Sequence, residues 1–245
     1  MRLLHLCVAL ALASSTSPVW AAANDFDVDF VDCVEYVGIG FVPAARARPL
    51  VPAAYTLAGD DTNAVAVVRV TKCASVAIDG KNAKPARTAQ IGVMLDVPDS
   101  TADIDNYLLW YATDLGTLHG KLSAAGVDSS VDAQLSFEFS ASGPSGPLSI
   151  DVAPPRQPAY ELLGTATVPT TQSVQFVANW FSSGAQGTLL MHTVLPSIRF
   201  SGANVTMTFA PSSALGALTG GQSLTFALLD SYNAFDSAHM EATMH

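Results

Sequence analysis

Residues 106–125, NYLLWYATDLGTLHGKLSAA, join a strand-type run to a helix-type run. The aromatic and apolar run YLLWY is typical of a strand, and the residues after Asp114 are typical of a helix. The helix-type part carries His119 and Lys121. Nowhere else in the sequence do strand aromatics, a carboxylate, an imidazole and an amine lie so close together. We therefore expect the rest of the chain to fold around this segment.

Around this segment, short apolar runs alternate with Gly- and Pro-containing turns. Residues 131–140, VDAQLSFEFS, alternate in polarity, and residues 64–70, AVAVVRV, are typical of a strand buried on both faces. Residues 79–87 are polar and are predicted to form a loop. The pattern indicates only one or two helices. It predicts a mainly β fold with a few short helices, a closed barrel or a sandwich, formed by residues 24–245 as a single domain.

The first 23 residues have the pattern of a signal peptide. Arg2 provides a basic start, residues 3–13 form an apolar run, and Val19-Trp20-Ala21 resembles a cleavage site. The apolar run is well short of the roughly 20 residues that a membrane span needs. We therefore expect a secreted or periplasmic protein that has no membrane anchor after cleavage.

Charge and motifs exclude several classes of function. The formal net charge is −10, and the sequence has no basic run, so binding to nucleic acid is not expected. The motifs HExxH and GxSxG, a phosphate-binding glycine loop and an EF-hand pattern are all absent from the sequence. We therefore expect neither a metal ion nor an organic cofactor.

The cysteines predict a disulfide. Once Cys7 leaves with the signal peptide, Cys33 and Cys73 remain as an even pair in an oxidising compartment. A disulfide would tie the first strand to the second or third. Metal binding by these two thiols is the weaker alternative, because neither belongs to a CxxC motif.

Three stretches resemble the acetoacetate decarboxylase family. They are residues 35–59, EYVGIGFVPAARARPLVPAAYTLAG, residues 106–124, from NYLLWYATD to GKLSA, and residues 176–209, FVANWFSSGAQGTLLMHTVLPSIRFSGANVTMTF. The resemblance implies a closed β-barrel with its active site in an internal cavity and, commonly, assembly into homo-oligomers. It also implies Schiff-base chemistry, in which a lysine amine attacks a β-keto acid and the imine accepts the electrons released with CO2.

The residues that match the family's catalytic positions are mostly different. Where the family has two consecutive lysines after a proline, this chain has Gly120-Lys121-Leu122. The family arginine falls near Val42, and the family glutamate falls near Arg87. We therefore predict a barrel that binds a small apolar, carboxylate or carbonyl ligand and has an incomplete catalytic set. The alternative is a Schiff-base lyase, a decarboxylase or an aldolase or dehydratase, that uses Lys121 on a keto acid. A weaker third interpretation is an extracellular structural β domain.

Lys121, His119 and Asp114 are the candidate catalytic residues. Lys121 would be the nucleophile or, alternatively, a solvated lysine at a helix end. His119 cannot share a helix face with Lys121, two residues on, and a polar rim position is its alternative. Asp114 is a cavity acid or, in the simpler interpretation, the N-cap of the helix.

The candidate ligand-binding residues are one arginine, three aromatic residues and one histidine. An arginine in an apolar strand needs a partner if it points inward, and Arg69 could bind a ligand carboxylate there or face outward instead. The other four would line the lumen or pack in the core: Trp110, Tyr111, Trp180 and His192.

Overall fold

The computed structural model describes residues 24–98 and 100–245, and the predicted signal peptide, residues 1–23, lies outside these ranges. A short 3₁₀ turn, Arg48–Leu50, follows the first helix. The other elements, in chain order, are β1 (Phe26–Pro43), α1 (Ala44–Ala47), β2 (Asn63–Ile78), β3 (Lys81–Met94), β4 (Ile104–Thr113), α2 (Gly116–Ala124), β5 (Ser129–Val131), β6 (Ser136–Phe139), β7 (Ser145–Val152), β8 (Tyr160–Thr167), β9 (Val174–Gly184), β10 (Gly187–Phe209), α3 (Ala214–Thr219), β11 (Ser223–Leu224) and β12 (Leu229–Met244).

Seven strands form a ring. Their order is β12-β1-β2-β3-β4-β9-β10, and β10 also pairs with β12, so the ring closes on itself. Neighbouring strands are antiparallel except β4 and β9, which run parallel. The predicted mainly β fold with a few short helices is confirmed, and the closed ring agrees with the predicted barrel.

A second sheet covers one side of the ring. The last part of β10 leaves the ring and pairs with β8, which continues to β7 and β6. An outer core lies between the second sheet and the ring and includes Val68, Phe137 and Ile150. An inner core fills the ring and includes Val67 and Phe235. Successive residues of β2 thus alternate between the two cores, which confirms the strand predicted to be buried on both faces.

Helix α2 closes one end of the ring. Its Leu118 and Leu122, four residues apart on one face, are fully buried in the inner core. On another side of the helix, Lys121 Nζ lies 5.8 Å from the centre of the Phe26 ring, at the start of β1. None of the helices among the described residues has the length and apolar character needed to cross a bilayer.

The prediction of a polar loop at residues 79–87 is wrong. Strands β2 and β3 form a tight hairpin instead, with Ile78 opposite Lys81 and only Asp79-Gly80 between them. Both turn residues have positive φ, 50° and 66°, which is the backbone that an Asp-Gly pair favours between paired strands. Local turn chemistry therefore outweighs the polar composition of the residues that follow.

The predicted disulfide is confirmed. Cys33 on β1 and Cys73 on β2 are joined by a disulfide bond. They occupy directly opposite positions of the antiparallel ladder, and both side chains lie in the inner core. The bond therefore links the first two strands of the ring from within.

Candidate functional site

A cavity of about 130 Å³ lies inside the ring. Phe200 and Leu229, at 37% and 36% exposure, lie where the cavity meets solvent. Most of its wall is apolar, and it is lined by Val37, Ile39, Val67, Ile104, Phe176, Ala178, Trp180, Leu195, Ile198, Phe200 and Leu229, together with Glu35, Arg69 and Asn233. Since α2 packs near the start of β1 and the cavity lies further along that strand, the cavity occupies the other part of the lumen.

An ion pair forms the polar part of the cavity wall. Arg69 Nε donates to Glu35 Oε2 at 2.7 Å, and the two side chains are only 14% and 4% exposed. Asn233 Nδ2 donates to Glu35 Oε1 at 3.2 Å, and Arg69 Nη1 donates to Gln90 Oε1 at 3.2 Å. Arg69 Nη2 makes no hydrogen bond to the described residues. It is a donor of this group that none of the described residues uses.

Strand register explains why these side chains meet. Arg69 stands opposite Val37 on one side and Gln90 on the other, and Gln90 stands opposite Tyr111. Directly paired residues point to the same face of a sheet, so this row faces the lumen. Burial raises the pKa of Tyr111 to about 12, although Arg69 and a hydrogen bond with Thr88 partly oppose this increase. Tyr111 therefore keeps its proton at neutral pH.

Trp180 lies in the cavity wall because β3, two strands away from its own strand β9, provides room for the indole. The side chain is 1% exposed and packs over Gly92 of β3. A Cβ atom at position 92 would lie 2.8 Å from Cζ3 of the indole and 2.4 Å from the Tyr107 carbonyl oxygen. Glycine is therefore the residue that lets the large ring fill this part of the lumen.

Lys121 lies outside the cavity. Its ammonium pairs with Asp79 at 2.7 Å, and the two side chains are 40% and 36% exposed. None of the four lysines in the sequence contributes to the described cavity wall. Lys72 Nζ donates to the Phe137 carbonyl oxygen, and Lys81 and Lys84 are exposed.

His119 and Asp114 also lie away from the cavity. His119 Nδ1 is 3.0 Å from Ser129 Oγ and 3.3 Å from Ser123 Oγ. The interpretation of Asp114 as the helix N-cap is wrong, because no side chain caps α2. Asp114 instead accepts from the Arg87 backbone N–H at 2.7 Å and from Arg87 Nη1 at 3.0 Å. It fastens β4 to β3.

Two of the predicted ligand-binding residues point away from the lumen. Trp110 packs against the outer core, as expected for the neighbour in sequence of the inward Tyr111. His192 lies next to the inward Met191, and its Nδ1 is 2.8 Å from Asn179 Oδ1. Asn179 Nδ2 in turn donates to Asp105 at 2.8 Å, so this group is a separate network on the outer face of the ring. The structure thus brings Arg69, Trp180 and Tyr111 together in the lumen.

The sequence analysis names neither of two polar residues in the cavity wall, Glu35 and Asn233. Glu35 had a usable signal, because it is a lone carboxylate in the apolar stretch CVEYVGIGF and its charge is opposite to that of Arg69. Two opposite charges in two apolar strands predict a buried pair. Asn233 had no such signal. Among the described residues, no group of three or more His, Cys, Asp or Glu side chains could hold a metal ion.

Several solved structures share the architecture of this chain. The enduracididine biosynthesis enzyme MppR in complex with pyruvate superposes with a TM-score of 0.56 at 10% identity, covering 94% of this chain and 91% of that enzyme. An acetoacetate decarboxylase from Legionella pneumophila subsp. pneumophila str. Philadelphia 1 gives 0.56 at 9% identity, covering 98% of each chain. This chain has the acetoacetate decarboxylase-like fold.

A third solved structure has the same fold. An acetoacetate decarboxylase-like enzyme from Sphingomonas wittichii RW1 gives a TM-score of 0.54 at 12% identity, covering 96% of this chain and 99% of that one. No family model matches the sequence, and the search of curated proteins found no match. At identities of 9–12%, the similarity to these structures is one of fold alone. The chemistry of this chain depends on its own lumen residues.

Proposed function

We propose that this chain is a secreted acetoacetate decarboxylase-like barrel that binds a small, mostly apolar molecule through one carbonyl or carboxylate oxygen. It does so without imine chemistry. The observation that carries the proposal is the composition of the lumen: an apolar cavity with the Glu35–Arg69 pair in its wall and no lysine among the described lining residues.

The size and walls of the cavity support a small ligand. Apolar cavities of roughly 150 Å³ in proteins bind molecules of the size of benzene, so about 130 Å³ suits a ligand of that size or slightly smaller. Burial of its apolar surface stabilises the complex by roughly 25 cal/mol per Å². Arg69 Nη2 donates to the ligand oxygen and fixes its orientation.

The surroundings of Lys121 argue against the Schiff-base alternative. A nucleophilic amine must lose its proton at working pH, which requires a buried site or a neighbouring cation. Lys121 has the opposite surroundings, because it is partly exposed and paired with the Asp79 carboxylate. No observation among the described residues favours imine formation there.

The disulfide supports secretion. Disulfides persist in oxidising compartments and are rare in the cytosol, and Cys33–Cys73 is buried in the inner core. Mass spectrometry of the exported protein tests this part of the proposal. We expect the chain to begin near residue 22 or 24, and recovery of an uncleaved cytosolic chain would contradict it.

The binding proposal is tested by titrating the protein with a panel of small ketones, amides and acids while the tryptophan fluorescence of a Trp110→Phe background, in which Trp180 is the tryptophan of the described residues, is recorded. Ala178 lines the cavity and is 5% exposed, so Ala178→Leu shrinks the cavity. The matched control is Ala185→Leu at an exposed turn. We expect saturable binding that Ala178→Leu weakens at least about tenfold and that the control leaves unchanged. Absence of saturable binding across the panel, or equal effects of both variants, would contradict the proposal.

A further inference from the structure

The charges around the cavity already balance one another. Of the described residues that line it, only Glu35 and Arg69 carry a formal charge. Their Nε···Oε2 distance is 2.7 Å, so the positive charge of the guanidinium is neutralised within the wall. The polar side chains that contact the pair, Gln90 and Asn233, are neutral amides, and Tyr111 keeps its proton.

A ligand carboxylate would bring a third, unbalanced charge into this site. The two side chains of the pair are 4% and 14% exposed, so little water is available to screen the new charge. Its attraction to Arg69 is offset by repulsion from Glu35, which accepts from the same guanidinium. The carboxylate would also lose its own hydration, and burial of an unpaired charge is unfavourable.

A neutral oxygen avoids this cost and uses the same donor. Arg69 Nη2 has no protein partner among the described residues, and a ketone or amide oxygen can accept from it. The ion pair then stays intact and the site stays neutral. The apolar remainder of the ligand packs against residues such as Val67, Leu195 and Ile198.

We infer that this cavity selects neutral carbonyl compounds, ketones or amides about the size of benzene, over carboxylates of the same shape. This inference rests on the proposed function and narrows its ligand class. The property that produces the selection is the Glu35–Arg69 pair itself. Replacement of Glu35 by a neutral residue should therefore change the preference of the site.

Three probes of matched size and shape test the selection: isobutyramide, 3-methyl-2-butanone and isobutyrate. Each is titrated into the native protein at neutral pH, and the Trp180 indole N–H resonance is followed by NMR. We expect the amide and the ketone to bind at least about tenfold more tightly than isobutyrate, which is ionised at this pH. In Glu35→Gln we expect isobutyrate to gain at least about tenfold, because Arg69 is then unbalanced. The control Asp79→Asn, at the exposed pair, should leave all three affinities unchanged.

The outcomes of this experiment distinguish failure of the selection from failure of the proposed binding function. Isobutyrate binding to the native protein as tightly as isobutyramide would overturn the selection and leave the proposed binding function standing. Absence of binding by all three probes would overturn the proposed function and the selection together. Should Glu35→Gln fail to fold, as judged by loss of the dispersed NMR spectrum, the comparison of the three probes on the native protein decides.

Discussion

Two carboxylate–cation pairs in this protein have the same N···O distance, 2.7 Å, and different surroundings. The Glu35–Arg69 side chains are 4% and 14% exposed inside the ring, whereas the Asp79–Lys121 side chains are 36% and 40% exposed at its α2 end. The first pair has lost most of its hydration, so its charges are stabilised mainly by each other and by hydrogen bonds with Gln90 and Asn233. The second remains in contact with water, which screens it. Two pairs with the same N···O distance therefore differ in their contribution to stability and in function. Burial distinguishes the pair that lines the cavity from the pair at the surface.

The largest effect should come from removing one member of the buried pair. Arg69→Met leaves the buried Glu35 carboxyl without its cation, so we expect the free energy of unfolding in urea to fall by about 3–5 kcal/mol. The double variant Glu35→Gln/Arg69→Met removes both charges and should recover at least half of that loss. A loss below about 1 kcal/mol in the single variant would show that this pair behaves as an exposed one.

The second effect concerns the covalent link between the strands that carry the buried pair. The disulfide spans a sequence separation of 40 residues between β1 and β2. The double variant Cys33→Ala/Cys73→Ala should therefore lower the free energy of unfolding by about 2–4 kcal/mol, largely because the unfolded chain gains freedom. Native and variant proteins are compared under non-reducing conditions by urea unfolding. The same midpoint in both would contradict this role for the disulfide.

Loss of the exposed pair should cost little. Lys121→Met removes a partly exposed cation, and such pairs contribute about 0–1 kcal/mol. We expect the free energy of unfolding to change by less than about 1 kcal/mol and the affinity for neutral carbonyl ligands to stay the same. A large loss of ligand affinity would instead place Lys121 in the binding site.

The smallest effect should be a shallow pH dependence from a third, exposed pair. A hydrogen bond with Asp29 raises the pKa of His239 above its ordinary value of 6.5, and both side chains are about half exposed. Because the folded-state pKa is the higher one, this stabilisation is complete below pH 6.5 and is lost as the pH rises through the folded pKa. Solvent screening limits the change to less than about 1 kcal/mol. The free energy of unfolding, measured from below pH 6.5 to above the folded pKa, should depend less on pH in Asp29→Asn than in the native protein. The same pH dependence in both would contradict a contribution from the His239–Asp29 pair.

Sequence patterns could reveal the strands, the disulfide and the inward arginine. The apolar run around Arg69 implies burial, and burial of a charge implies a partner. The sequence of α2 also predicts which face of the helix is buried. Leu118 and Leu122 mark the buried face of the helix by their four-residue spacing, which directs Lys121 elsewhere.

The strand registers that bring the lumen side chains into contact could not be read from the sequence, even where opposite charges predict a pair. Glu35 meets Arg69 only in one register of β1 on β2, and a slip of one residue would turn every inward side chain outward. The closing pair, β10 with β12, joins distant parts of the chain and brings Asn233 to the lumen. Ring closure depends on the packing of the whole chain, and local patterns do not encode it.

Binding inside the lumen is tested most directly by mapping where a bound ketone lies. The protein, labelled at methyl groups and indole nitrogens, is titrated with 3-methyl-2-butanone, and NMR shift changes are assigned to residues. We expect saturable changes at the Trp180 indole and at the methyl groups of Leu195 and Ile198, which line the cavity. Changes confined to the surroundings of Lys121 and Asp79, with the lumen signals unmoved, would show that the ketone does not bind in the lumen.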